Sequence, residues 1–164
     1  MRLSHLVATV CGIGHLRPAS GTWGSLAALP LAYLLIVAGG LWLFLPAIVA
    51  AYAAGLWATR VETAGKANHD PSEIVIDEVV GQWIALLPIV LGVQMTGAAP
   101  ERLWPGWIGA FLMFRLFDIW KPGPIGRADR RNDFHGVMLD DVLAGVAAAV
   151  VTALAAAIAH GVLM

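Results

Sequence analysis

Five long apolar runs, separated by short polar stretches, frame this chain. The first extends from about residue 24 to 38 and ends at Gly39-Gly40. The second runs from about Leu41 to Gly65, and the third from Ser72 or Asp77 to Met95. The fourth covers about 103–120, and the fifth about Leu139 to His160. A membrane span takes about 20 mostly apolar residues, so the runs predict four to five long membrane helices. Residues 3–13 are too short to span and predict an interfacial helix. Between these lie a Gly-rich loop, His15 to Ser25, where Ser20 or Thr22 can cap the next helix, and a polar loop over 66–76. A turn follows from Thr96 to Glu101. The stretch Lys121–Val137 carries Pro122, Gly123, Pro124, Gly126 and Gly136, which argue against regular helix. The expected fold is all-α: an integral membrane bundle of four to five long helices plus a short N-terminal interfacial helix, in one domain over 1–164.

Composition agrees. Of 164 residues 59% are hydrophobic and only 13% charged, whereas soluble domains carry about 25% charged residues. A net charge of −1 gives no argument for nucleic acid, and the single cysteine, Cys11, excludes an intramolecular disulfide. Gly14, His15 and Arg17 interrupt the first apolar stretch, so it does not read as a cleaved signal peptide. In this layout Arg2, Arg17, Arg60, Lys66, Lys121, Arg127, Arg130 and Arg131 share one side, with Arg115 close to it and only Arg102 opposite. The positive-inside rule makes the crowded side cytoplasmic.

Acidic residues punctuate the ends of the apolar runs. Asp77 and Glu78 open the third, Asp118 closes the fourth, and Asp140 and Asp141 open the fifth. A carboxylate at the bilayer centre costs about 2.5–3.5 kcal/mol on insertion scales. Two carboxylates 4 Å apart repel by ~4 kcal/mol at an effective dielectric of 20. A shared cation accounts for such a set, and all-oxygen ligands suit Mg²⁺, Ca²⁺ or Mn²⁺. The bland explanation, acids at helix N-termini, covers Asp77, Glu78, Asp140 and Asp141 but not Asp118 at a C-terminus. Small-residue stripes, which let membrane helices approach closely, lead to Glu62 and to Asp141 and predict that both face the bundle interior. Glu78 and Gln82 share one helical face; Arg115, Asp118 and Lys121 share another.

Other polar groups lie on the same side. The Ser20–Ser25 stretch, Thr22 included, offers backbone N–H groups to an anion, and Arg115 and Lys121 offer cations to phosphate. Cys11 and Arg17 fit the C-x5-R spacing of thiolate phosphatases, but those need a strand-to-helix loop and this chain has no room for the sheet. His69 and His135 fall in polar loops where they could assist, and His5, His15 and His160 are expected at the interfaces.

Four motifs carry a resemblance: Pro18-Ala19-Ser20-Gly21-Thr22-Trp23-Gly24-Ser25-Leu26, Ile74-Val75-Ile76-Asp77-Glu78-Val79-Val80-Gly81, Phe114-Arg115-Leu116-Phe117-Asp118-Ile119-Trp120-Lys121-Pro122, and Gly136-Val137-Met138-Leu139-Asp140-Asp141-Val142. In this order, over nearly the whole chain, they resemble the bacterial phosphatidylglycerophosphatase A family. The chain departs from the family pattern at Ser20, where Ala-Pro-Gly is usual, and at Asp133-Phe134-His135-Gly136, where more glycine is usual. Neither departure removes a charged group. The resemblance implies an all-helical fold and Mg²⁺-dependent removal of the terminal phosphate of phosphatidylglycerol phosphate, a phospholipid substrate, at the inner membrane. The expected metal ligands come from Asp77, Glu78, Asp118, Asp140 and Asp141, and the expected catalytic groups are Asp77, Glu78, Asp118 and Asp141. Ser20, Thr22, Arg115 and Lys121 are the expected phosphate contacts. A different class, divalent-cation transport, is open to the same acid cluster.

Overall fold

The computed structural model describes residues 2–66, 71–131 and 133–163, with side chains to residue 159. Among these residues every regular element is helical. They are α1 (Leu3–Ala8), a 3-10 turn (Ile13–His15), α2 (Ser20–Thr63), α3 (Ile76–Ala85), α4 (Leu87–Thr96), a second 3-10 turn (Pro100–Leu103), α5 (Trp104–Trp120), α6 (Pro124–Asp129) and α7 (Phe134–Leu163).

The first two apolar runs are the arms of one helical hairpin. Helical geometry across α2 fails only at Gly40, with φ 56° and ψ −146°, a conformation open to glycine and closed to residues with a Cβ. Residues on both sides of Gly40 then meet α3. The Trp83 indole donates to the Ala28 carbonyl (2.9 Å), and its ring centre lies 5.8 Å from that of Phe44. Both ends of α2 return to one end of the bundle. Ser20 Oγ donates to the Ser72 carbonyl (2.5 Å) just before α3, and Gly55, near the other end, packs on Met138 and Ile76. Gly40 itself faces Gln94, towards the far end of α4. Each arm has about 20 residues and is therefore ~30 Å long, close to the thickness of a bilayer's hydrocarbon core.

Ser20–Thr63 and Phe134–Ala159 are long and apolar enough to cross a membrane, and α3 with α4 forms a third such unit bent by 43°. The third run is thus broken where a straight helix was expected. Pro88, in the first turn of α4, has no N–H to donate and crowds the preceding turn. The 17 residues of α5 sit at the short end of spanning length. Counting both arms of α2, and α3 with α4 as one, successive legs of the described bundle run antiparallel. Exposed Leu34, Val37, Trp42, Val49, Ile108, Val150, Leu154 and Ile158 give the bundle an apolar exterior.

Two further boundaries differ from the sequence expectation. Part of the Pro- and Gly-rich stretch after Lys121 is helical after all: Pro124 starts α6, a first-turn position that proline tolerates because no donor is needed there. The last helix begins at Phe134, several residues earlier than expected. Asp133 Oδ1 accepts from the Gly136 N–H at 2.7 Å, the N-cap contact that satisfies a free amide of the first turn. Asp140 and Asp141 therefore lie well inside α7, where a helix terminus no longer accounts for them.

Three helices converge on Gly81. A Cβ there would stand 2.5 Å from Phe114 of α5 and 2.7 Å from the Asp141 carbonyl of α7, and a Cβ on Gly145 would collide with the Gly81 carbonyl. Backbone touches backbone at this crossing, the close approach that small residues permit.

Candidate active site

The acids stand one turn from that crossing. Glu78 precedes Gly81 on α3, Asp118 follows Phe114 on α5, and Asp141 precedes Gly145 on α7. Each offers an oxygen, and these three oxygens lie within 4.8 Å of one another. Asp77, Glu78, Asp118, Asp140 and Asp141 all line one cavity of about 190 Å³, together with Ser20, Gly21, Ser72, Lys121, Asp129 and Arg131. Asp77, Asp118, Asp140 and Asp141 are buried.

One guanidinium ties the cluster together. Arg115 Nη1 is 2.5 Å from Glu78 Oε2 and 2.9 Å from Asp118 Oδ2. Ser25 Oγ donates to Glu78 Oε2 at 3.0 Å and to the Gly21 carbonyl at 2.9 Å. Gly21 is required beside it, because a Cβ at that position would overlap Glu78 Oε1. Lys121 closes the cavity from the other side. It ends α5 in the left-handed conformation, φ 49° and ψ 53°, which is uncommon for a residue with a side chain. Its Nζ bonds Asp129 and lies 2.7 Å from Asp140 Oδ2. Burial works against the charge of this ammonium, but its bonds to Asp129 and Asp140 outweigh burial and raise its pKa above the ordinary lysine value.

The donor set fits a hard divalent cation. Six carboxylates line the cavity, against Lys121, Arg131 and the adjacent Arg115. Asp140 Oδ1 is buried with no hydrogen-bond partner among the described residues, so it keeps lone pairs free. Clustered oxygens without nitrogen or sulfur donors suit Mg²⁺ or its relatives rather than zinc.

The expected site residues are brought together with two exceptions. Thr22 does not line the cavity, because Ser20–Ser25 is the first turn and a half of α2 and not a loop. Helical spacing there turns Gly21 and Ser25 towards Glu78. Arg115 contacts carboxylates and does not line the cavity. Ser20 lines it, with its hydroxyl engaged by Ser72. Four residues were missed: Ser25, Ser72, Asp129 and Arg131. Ser25 was legible in principle, since i, i+4 from Gly21 marks it once the stretch is read as helix. The others sit in irregular or short segments that carry no periodicity. Glu62 does not join the cluster. It bonds Ser4 and His5 at the edge of α1. Cys11 is exposed, and Arg17 donates to Ser72 Oγ (3.0 Å). His69 lies outside the described residues, as does the His160 side chain. His135 lies in the first turn of α7 beside Phe134 and is not a cavity residue.

A family profile described as phosphatidylglycerophosphatase A matches residues 6–156. The chain belongs to the phosphatidylglycerophosphatase A family. A phosphatidylglycerophosphatase A of Haemophilus influenzae is 39% identical over 149 residues, covering 90% of this chain and 85% of that protein. The Escherichia coli K12 phosphatidylglycerophosphatase A is 35% identical over 153 residues, 88% and 78% of the two chains. A Bacteroides thetaiotaomicron protein, provisionally named a phosphatidylinositol-3-phosphatase, is 37% identical over 157 residues, 92% and 91% of the two chains. No solved structure matches the chain. The phosphatidylglycerophosphatase A profile spans every cavity acid, from Asp77 to Asp141.

Proposed function

We propose that this protein removes the terminal phosphate of phosphatidylglycerol phosphate, in a Mg²⁺-dependent hydrolysis at the cytoplasmic face of the bacterial inner membrane. The observation that carries this reading is the convergence of Glu78, Asp118 and Asp141 from three helices at one end of an apolar bundle, in a chain of this family. The transport alternative has less support, because the acids gather at one end of the bundle and form no path through it.

Glu78, Asp118 and Asp141 would hold the cation, with Asp77 and Asp140 beside them. When bound, Mg²⁺ supplies Lewis-acid polarisation of the phosphoryl group and makes water easier to deprotonate. Lys121 and Arg131, both in the cavity wall, neutralise charge growing on the phosphoryl oxygens. Arg115 keeps Glu78 and Asp118 in place through its two ion pairs. Carboxylate oxygens that do not ligate the cation accept the proton of the attacking water. Next to Lys121 an apolar groove of about 330 Å³, lined by Phe117, Pro122, Ile125, Leu143, Val146 and Ala147, offers a seat for an acyl chain. Headgroup and tail of one lipid would then be held side by side.

The test is phosphate release by purified protein in mixed micelles, with phosphatidylglycerol phosphate, phosphatidylinositol 3-phosphate and phosphatidic acid as separate substrates. Release from the first, abolished by EDTA and restored by Mg²⁺, is expected. Full turnover in excess chelator would remove the metal, and a clear preference for the inositol lipid would change the substrate. Sidedness is read from a cysteine placed at Lys66 in a Cys11→Ser background. Labelling of intact cells by an impermeant thiol reagent would invert the orientation.

A further inference from the structure

Away from the acidic cavity, two histidines among the described residues bring imidazole nitrogens together. His5 on α1 and His15 at the end of the first 3-10 turn bring their Nε2 atoms 3.1 Å apart. Their ring centres are 5.2 Å apart and the planes are tilted by 33°, so the rings meet nitrogen to nitrogen and do not stack face to face. Two imidazoles on one tetrahedral ion, each at about 2.0–2.1 Å, hold their nitrogens about 3.3 Å apart. The pair already stands near that spacing.

The other nitrogen of His5 has the partner that a metal-binding histidine needs. Nδ1 lies 3.3 Å from Glu62 Oε2, while Ser4 Oγ donates to Glu62 Oε1 at 2.6 Å. A carboxylate on Nδ1–H fixes the tautomer, orients the ring and leaves the Nε2 lone pair free. Side-chain exposure is 26% for His5 and 16% for Glu62, and His15 is exposed, so an ion can enter from solvent and complete its shell with water. His15 needs only to move its proton from Nε2 to Nδ1, with no net loss of charge.

We propose that His5 and His15 bind a borderline divalent transition-metal ion of the Zn²⁺ class, with Glu62 as the outer partner of His5. Imidazole nitrogen suits such ions and not Mg²⁺, so this site and the carboxylate cavity take different cations. The ion would clasp three separate pieces of chain: α1, the Ile13–His15 turn and the end of α2. The clasped segment abuts the approach to the acids, since the Ala8 carbonyl accepts from the Val75 N–H at 2.9 Å.

The test is calorimetric titration of Zn²⁺ into the full-length, tag-free protein in detergent, with Mg²⁺ in excess to occupy the carboxylates. Co²⁺ absorption in the visible serves as a second reading of nitrogen ligation. One equivalent is expected to bind. Binding should be lost in His15→Ala and His5→Gln, weakened about 10- to 100-fold in Glu62→Gln, and retained in Asp118→Asn. Unchanged melting of His15→Ala in metal-free buffer separates loss of the site from loss of fold. No binding by the parent protein, or binding that survives His15→Ala and disappears in Asp118→Asn, would overturn the site.

Discussion

Arg115 Nη1 bridges Glu78 of α3 and Asp118 of its own helix, at 2.5 and 2.9 Å. One nitrogen therefore holds together two carboxylates that would otherwise repel each other strongly. Removing one partner of a buried ion pair costs roughly 3–5 kcal/mol, because the charge left behind has no compensation. Arg115→Ala should lower the melting temperature in EDTA, and Mg²⁺ should recover a larger part of the loss than it adds to the parent protein. Equal melting of variant and parent in EDTA would show that the bridge carries no such burden.

Asp118 has the least structural excuse among the acids. It lies in the last turn of α5, where the helix dipole disfavours a negative charge by about 0.3–1 kcal/mol. If its role were structural, Asp118→Asn would leave turnover unchanged. As a cation ligand, the same change should reduce turnover by orders of magnitude and raise the Mg²⁺ concentration needed for half-maximal rate, with folding in detergent intact. Near-normal turnover at limiting Mg²⁺ would confine the metal centre to α3 and α7.

Gly21 tests the site from the side of α2. A methyl there would occupy the place of Glu78 Oε1, and the carboxylate is kept from swinging away by Ser25 and Arg115, which bond its other oxygen, Oε2. Gly21→Ala should cut activity at least as much as Ser25→Ala, and by 100-fold or more. Gly65→Ala, where no atom lies within 4 Å but φ is +73°, should cost only stability, about 1–2 kcal/mol. Wild-type rates in Gly21→Ala would mean that Glu78 works from another rotamer.

Lys121 fixes a pH limit. Its folded pKa is raised above the unfolded value of about 10.4 by Asp129 and Asp140, against the effect of burial. The stability it confers is therefore complete below the unfolded pKa and is lost as pH rises through the folded one. Between pH 8 and 9.5 the melting difference between the parent and Lys121→Met should be constant. A difference that shrinks steadily across that window would show that the ammonium is not held by these carboxylates.

The groove beside Lys121 makes a separate claim. Ala147→Phe narrows it without touching a charged group. KM for long-chain phosphatidylglycerol phosphate should rise severalfold, with kcat and the rate on a short-chain soluble analogue little changed. Equal losses on both substrates would mean that the groove seats no acyl chain.

Much of this architecture was legible as hydrophobic length. The runs ending at Gly39-Gly40 and beginning at Leu41 became the two arms of α2, and the acids at run ends became the cavity. The misses share a physical cause. Ser20–Ser25 looked like a loop because glycine and serine weaken helix propensity, yet packing of Gly21 and Gly24 on α3 outweighs that cost of about 1 kcal/mol per glycine. Pro88, inside the third apolar run, marks the 43° bend. Glu62 follows its small-residue stripe only on paper: in the last turn of α2 its carboxylate turns to Ser4 and His5 of α1. Contacts between distant segments, such as Arg17 with Ser72, leave no local pattern in a sequence.

The crossing at Gly81 sets a calibre. Phe114, Asp141 and Gly145 bear on a glycine that has no side chain left to give up, so the three helices cannot draw nearer. A bulkier residue at Gly81 or Gly145 would have to lift α5 and α7 off α3 along a seam of packed backbone. The spacing of Glu78, Asp118 and Asp141 is thus governed from one helical turn away, by contacts in which no carboxylate takes part.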